Sequence, residues 1–230
     1  MKELIASSSY FGLVLSVTAY MLGEVIRKKT GKDLANPLLI AILVTMAVLK
    51  LTGIEYADYK SSAGTLSWLL TPATVCLAIP LYEKLSVLKA HGKAILAGIA
   101  SGVAASLGCV MLFAGLFAFS HEEYITFLPK SITTAIGMGI SEELGGNVTV
   151  TIAVIIISGI IGNIFAVPAC HLFGLTDPVA QGVAIGSCSH AIGTSKAMEM
   201  GEVQGAVSGL AIAVSGLLTV IAATLCSGLV

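Results

Sequence analysis

The stretch PVAQGVAIGSCSHAIGTSKAMEMG, Pro178–Gly201, is apolar enough to enter a bilayer, yet it is dense in glycine, hydroxyl groups and charge. LPKSITTAIGMGISEELGG, Leu128–Gly146, has the same make-up. Each runs from a proline through a Ser/Thr-rich part to acidic residues and glycine. Each is followed by a plain apolar span with a Ser-Gly step, Ser158-Gly159 and Ser215-Gly216. Interrupted backbone survives at membrane depth only where it is buried in protein or lines a watery cavity. Both stretches are therefore expected to be broken or re-entrant helical segments.

Outward from them, uncharged windows of about 20 residues mark helices able to cross the hydrocarbon core. Leu4–Gly23, Leu34–Leu49, Ser61–Tyr82 and Ala94–Ser120 come before the first stretch; windows within Leu144–Val167 and Val203–Val230 follow the two stretches. Pro72 and Pro80 predict a kink or interruption in the third window. Gly98, Gly102, Gly108 and Gly115 suit the fourth to close helix packing in lipid. The start of the chain, with Lys2 and Glu3 ahead of an apolar run, reads as a retained first span. Pro72 and Gly102 stand as far apart as Pro129 and Gly159, with Glu83 placed much as Glu142 is, so the third window is a weaker relative of the later segments.

The composition agrees. Of 230 residues, 56% are hydrophobic and 11% charged, against about 25% charged in an ordinary soluble domain. Mean hydropathy is +0.97. A net charge of −1 leaves no basic patch for nucleic acid. Arg27, Lys28, Lys29 and Lys32 follow the first span and Lys84, Lys89 and Lys93 the third, which places those loops in the cytoplasm and the N-terminus outside. The five cysteines, Cys76, Cys109, Cys170, Cys188 and Cys226, lie in apolar stretches without a CxxC pair and read as packing residues.

Function falls to the few ionisable and hydroxyl groups at membrane depth. A charge at the bilayer centre costs at least about 2.5–3.5 kcal/mol by insertion scales, so its retention points to a role. Half-helix N-termini direct partial positive charge at anionic substrates. Lys130 with Ser131, Thr133 and Thr134, and Ser187, Ser189, His190, Thr194, Ser195 and Lys196, are the candidate substrate ligands. Glu142, Glu199 and Glu83 are the candidate coupling carboxylates. The competing reading places Lys130, Lys196, Glu143 and Glu202 at segment ends, snorkelling to the interface. It makes His190 a satisfied structural histidine and bonds the hydroxyls to preceding carbonyls. Cys188 and His190 alone make no zinc site, and no phosphate or dinucleotide fingerprint occurs. Neither an enzyme nor a bound cofactor is expected, beyond H⁺ or Na⁺ as a coupling ion.

The chain resembles the LrgB/CidB family of bacterial membrane proteins, which has a plant relative in the plastid glycolate/glycerate translocator. The resemblance is carried by NPLLIAIL (Asn36–Leu43), LTGIEYADY (Leu51–Tyr59), PATVCLAIPLYEKL (Pro72–Leu85), LPKSITTAIGMGISEELGG and GSCSHAIGTSKAMEMGEVQGAVSGLA (Gly186–Ala211). It departs from the family pattern at Ala135, where a second proline is usual, and at Lys196, where arginine is commoner. The resemblance implies either a carrier of small carboxylates such as pyruvate, glycolate or glycerate, or an antiholin-like or holin-like regulator of murein hydrolases and lysis. It also implies a separate small LrgA/CidA-like membrane subunit.

Together these readings predict an all-α, multi-pass protein of the bacterial cytoplasmic membrane. About six full spans and two broken or re-entrant segments would form an inverted repeat with elevator-like architecture. The single domain would divide into 1–60 (N-terminal helices, scaffold), 61–127, 128–176 and 177–230. It would carry a small monocarboxylate, ion-coupled, as a homo-oligomer.

Overall fold

The computed structural model describes residues 8–31, 35–76, 78–83 and 85–229. The beginning of the expected Leu4–Gly23 span, with Lys2 and Glu3, lies outside them, as do Leu34, Lys32, Lys84 and Val230. Every described element is helical, and the chain divides into two compact units, Met1–Cys76 and Leu77–Val230.

The first unit holds α1 (Phe11–Thr30), α2 (Pro37–Thr52), α3 (Tyr56–Ser62) and α4 (Gly64–Cys76). Asn36 caps α2, its side chain accepting from Leu38 and Leu39 N–H at 2.9 and 3.2 Å, with Pro37 in the first turn, where a missing N–H costs nothing. A Cβ at Gly23 would stand 2.6 Å from the Pro37 carbonyl oxygen, so the absent side chain lets α1 and α2 touch by backbone. Ser62 and Tyr59 clasp α3 to α1 through the Gly12 N–H (2.9 Å) and Ser16 (2.8 Å).

The second unit holds α5 (Ala78–Glu83), α6 (Leu85–Phe117), α7 (His121–Phe127), α8 (Thr134–Leu144), α9 (Val148–Leu172), α10 (Pro178–Met200) and α11 (Glu202–Cys226), closed by a 3₁₀ turn, Ser227–Leu229. Among the described residues, three helices are long and apolar enough to cross a membrane: Lys89–Phe117 within α6, Val148–Leu172, and Glu202–Leu229. Of the six expected spans, Leu34–Leu49 becomes a shorter apolar helix, α2. Leu4–Gly23 becomes α1, whose basic last turn (Arg27, Lys28, Lys29) dilutes its hydropathy. Ser61–Tyr82 is divided among α3, α4 and α5, with Pro72 inside α4.

The long helices expose large apolar side chains, and what they bury differs between them. In α11 the buried side is small and polar, with Ser208, Ala211, Ser215 and Thr219, while Leu217, Ile221 and Leu225 face outward. A water-soluble protein would reverse this; lipid accepts the large side chains, and small ones let helices approach. In α6, Ile95, Ile99, Val103, Leu107, Val110 and Ala114 form a buried stripe at helical spacing. Gly98 and Gly102 receive Val183 and Ser187 of α10, as the GxxxG spacing predicts. Gly108 and Gly115 have nothing within 4 Å of a Cβ, so of the four glycines only the first two serve packing within the unit.

Helices α7 and α8, of 7 and 11 residues, are about 10 and 16 Å long, too short for a core about 30 Å thick. After α8 the chain returns to the end of α7. The Asn147 N–H donates to Thr126 Oγ1 at 2.8 Å, and Thr151 Oγ1 donates to the Thr126 carbonyl at 2.9 Å and is bonded with Ser141 Oγ at 2.8 Å. Helix α10 is broken at His190 (φ 41°, ψ −142°) and also returns. A Cβ at Gly193 would lie 3.1 Å from Ile185 Cγ2, whereas eight residues of straight helix span about 12 Å. Gln204 donates to Gln181 at 3.1 Å across the base. Both stretches thus turn back on themselves as helical hairpins.

The spans that follow run in opposite directions. Helix α9 leaves the base of the first hairpin and ends at Cys170 and His171 beside Gln181 and Met200, the base of the second. Helix α11 leaves the base of the second, and its Cys226 carbonyl accepts from Tyr124 Oη in the first at 3.1 Å. Equivalent landmarks recur 57 residues apart: the N-caps Ser120 and Asp177, the breaks Thr133 and His190, and the pinning hydroxyls Thr151 and Ser208. Of the weaker third copy, Pro72 lies in the first unit and Gly102 in the second.

The first hairpin opens with a capping box. Ser120 Oγ accepts the Glu123 N–H at 3.3 Å, and the Ser120 N–H donates to Glu123 Oε2 at 2.8 Å. That backbone bond, and then the hydroxyl, hold the exposed Glu123 carboxyl below its ordinary value of 4.5. A depressed carboxylate contributes its full stability above the ordinary value and loses it as pH falls through the lower, folded value. Glu123→Gln is therefore expected to loosen 121–127 at neutral pH and to abolish further acid loosening below about pH 4.5, where wild type still loosens. Amide protection of that segment against pH, corrected for intrinsic exchange, checks this; equal profiles would refute it.

Candidate functional site

Pro129 stops α7, and the Lys130 and Ile132 N–H groups turn back onto the Phe127 and Pro129 carbonyls at 3.2 and 3.3 Å. Leu128 and Ile132, each 1% exposed, anchor this tip in the core. Between those anchors Lys130, partly buried, extends its ammonium to Ser106 of α6 (3.2 Å) and to Ser131 (3.4 Å). The two serine hydroxyls bond each other at 2.6 Å. Among the described residues no carboxylate pairs with Lys130. Val110, Phe113, Phe117, Phe119 and Phe127 line an apolar hollow of about 300 Å³ with it.

Helix α8 starts one turn later, at Thr134. Thr133, its N-cap, makes no side-chain capping bond, and among the described residues neither threonine hydroxyl has a partner. The first amides of α8 and two free hydroxyls thus stand at the tip that carries Lys130, an arrangement that favours negative charge. The second hairpin comes close as well, since Ser187 packs on Gly102 of α6, one turn from Ser106. From Cys188 a groove of about 690 Å³ runs between α6 and the first arm of α10. Gly102, Ala105, Ala184 and Ser187 line it near that end, and His91 and Asp177 line it where the two helices begin.

The remaining tip residues are enclosed. His190 is 2% exposed, and its Nε2 bonds the Ile155 carbonyl of α9 at 3.0 Å; a carbonyl only accepts, so Nε2 carries the proton. Thr194 Oγ1 donates to the His190 carbonyl (2.9 Å) and bonds Ser208 of α11 at 2.6 Å. Ser189 is buried against Gly162, where a Cβ would collide with it.

A profile described as the LrgB-like family matches residues 16–229, nearly the whole chain. The chain belongs to the LrgB-like family. This LrgB-like protein, with its apolar helices, is a membrane protein. No solved structure matches it at a significant level.

In the LrgB-like fold the predicted site residues separate into groups. Lys130 and Ser131 come together, with Thr133 and Thr134 on the same tip. Ser187 lines the groove but bonds the Val183 carbonyl at 2.7 Å. Ser189, His190 and Thr194 are buried inside the protein, the last two bonded to Ile155 and Ser208. Ser195 is exposed, bonding the Ile192 carbonyl at 2.7 Å. Lys196 pairs with Glu199 at 3.3 Å on its own arm. Glu142 and Glu83 are exposed on α8 and α5, and no hydrogen bond or ion pair among the described residues joins either to Lys130.

Two residues that the sequence reading passed over carry weight. Ser106 bridges Lys130 and Ser131. Asn163 Nδ2 donates to the Ile192 carbonyl at 2.8 Å and to Ser195 at 3.2 Å, tying α9 to the returning arm of α10. A signal existed for each, since a hydroxyl or carboxamide inside an otherwise apolar span has to find a partner there.

Proposed function

We propose that this protein is a secondary carrier of small monocarboxylates of the pyruvate, glycolate and glycerate class. The observation that carries the reading is Lys130, an ammonium whose partners among the described residues are serines, on the tip of a re-entrant hairpin. Retaining a charge at depth costs several kcal/mol unless it meets a counter-charge. A three-carbon acid supplies one, and Ser131, Ser106, Thr133 and Thr134 offer hydroxyls for its remaining oxygens. Ser187, from the facing hairpin, borders the approach.

The hairpins enter from opposite ends, and the spans behind them are antiparallel. That is the pattern of an inverted repeat, which supports alternating access by exchange of conformation between two halves. In this reading the protein is a multi-pass carrier of the bacterial cytoplasmic membrane, moving as an elevator. The N-terminal helices serve as a stationary scaffold in a homo-oligomer, and α1, α2 and the divided Ser61–Tyr82 region complete six crossings. H⁺ or Na⁺ is the coupling ion, with Glu142, Glu199 and Glu83 as the carboxylates to test. A small LrgA/CidA-like subunit is the partner, and the work is translocation without bond chemistry.

The test is uptake of radiolabelled pyruvate, glycolate and glycerate into proteoliposomes under a proton or sodium gradient, with and without the small subunit. Saturable uptake is the expected result. Folded protein that moves none of these acids under any arm would overturn the carrier reading in favour of an antiholin-like regulator of lysis.

A further inference from the structure

The two tips are not held alike. At the first, Thr133 makes no side-chain capping bond. At the second, its counterpart 57 residues on, His190 sits at φ 41° and ψ −142°, a conformation that strains any residue with a Cβ. Such strain persists only where the surroundings over-determine it. Here they do. The ring is buried and bonded to the Ile155 carbonyl, and it lies against Gly159, where a Cβ would stand 2.6 Å from Cε1 and 2.8 Å from Nε2. One turn along α9, Gly162 leaves room for Ser189. Two glycines on α9 thus form a seat cut to the tip. Thr194 adds a second tie, from the His190 carbonyl to Ser208 of α11.

The strained residue is also close to the anion site. Ser187, three residues away, packs on Gly102 of α6, one turn from the Ser106 that holds Lys130, and Ser187 and Cys188 line the end of the groove. A seated His190 therefore fixes where the groove wall stands relative to Lys130. Unseating it would lose the buried bond to the Ile155 carbonyl and the packing on Gly159 and Gly162, while the backbone strain it releases offsets part of that cost.

We propose that His190 is the latch of a gate: seated on Gly159 and Gly162 it holds the second hairpin tip against the Lys130 site, and unseated it opens that site. This rests on the reading of Lys130 as the anion site. His190 is then a positioning residue, acting through Ser187 and Cys188 without touching the substrate. Hairpin two is the gate, and hairpin one carries the charge.

Hydrogen–deuterium exchange on the full-length protein in proteoliposomes tests it, following peptides over 187–193 with peptides over 128–133 as the internal reference. Gly159→Ala pushes the ring off its seat. His190→Gly removes the ring and, having no Cβ, relieves the strain, which guards against a variant that fails only by misfolding. Each is expected to speed exchange at 187–193 about tenfold, while 128–133 stays within about twofold. Pyruvate should slow exchange at 187–193 in wild type, and each variant should show a raised KM for pyruvate uptake with a smaller change in maximal rate. Unchanged exchange at 187–193 in both variants overturns the latch, whatever uptake does. A comparable rise at 128–133 also overturns it, because His190 would then be packing for the whole unit. Tip opening in the variants together with no uptake by wild type overturns the carrier reading and leaves the latch standing.

Discussion

Lys130→Gln is expected to cut the apparent affinity for a small monocarboxylate about 10- to 100-fold, since a hydrogen bond to a charged group contributes about 1.5–3 kcal/mol. Glutamine keeps much of the side chain's length and its bond to Ser106 or Ser131, so the hairpin tip should fold. What it removes is the charge. Burying the neutral side chain is easier, and the variant should be at least as thermally stable as wild type. A loss of uptake with stability retained is therefore the signature of a ligand, whereas a snorkelling lysine would show neither change. Lys130→Arg should recover part of the affinity only, because the planar guanidinium has to fit between Ser106 and Ser131, which are already bonded to each other at 2.6 Å. Uptake measured against substrate concentration, beside thermal unfolding of the same preparations, separates these outcomes. Unaltered uptake in Lys130→Gln would remove the basis for placing the site here.

Gly186→Val should be the most damaging single change to the fold. A Cβ there would collide with the Ser208 carbonyl oxygen, stand 2.8 Å from the Ala211 Cβ and 2.9 Å from the Ser208 Cα. These are backbone and Cβ atoms that cannot rotate aside. Overpacking ordinarily costs about 1–3 kcal/mol, and here relief requires α10 and α11 to separate, so about 3 kcal/mol or more is expected. In a chain of this length that corresponds to a melting temperature lower by about 10 °C. Gly108→Ala and Gly115→Ala are the controls. Both positions lie in α6 with nothing within 4 Å of a Cβ, and the gain in helix propensity should leave stability equal or slightly higher. Thermal unfolding in detergent, followed by circular dichroism, distinguishes the three. Equal melting of Gly186→Val and wild type would show that α10 and α11 are not packed as described.

Much of this protein was legible in its composition and punctuation. An 11% charged fraction and long uncharged windows require helices in lipid, because a backbone without water must satisfy itself. The crowding of Gly, Ser, Thr and charge into Leu128–Gly146 and Pro178–Gly201 marked the two interruptions. Spacing also foretold that Gly98 and Gly102 would meet another helix. The count of long spans was less legible. The regions before Lys89 contain apolar runs, but Pro72 and the basic end of α1 leave them divided or short, and hydropathy windows average over such breaks.

What the sequence determined by itself, then, was the solvent this chain is built for, its helical make-up and the two places where helices fail. Those properties are local: each follows from a run of side chains and its neighbours. Only the tertiary structure decided which polar groups are available and which are spent. Ser131 and His190 look equally promising in the sequence, but one faces Lys130 and the other is bonded to Ile155 and closed over by Gly159. Ser106 and Asn163 became visible only when distant helices were brought beside the tips. The direction of each hairpin was likewise undecided until Asn147 met Thr126 and Gln204 met Gln181. The physical reason is that a buried polar group takes its role from its partner, and the partners here are 24 to 35 residues away in the chain for Lys130–Ser106, Asn163–Ile192 and His190–Ile155.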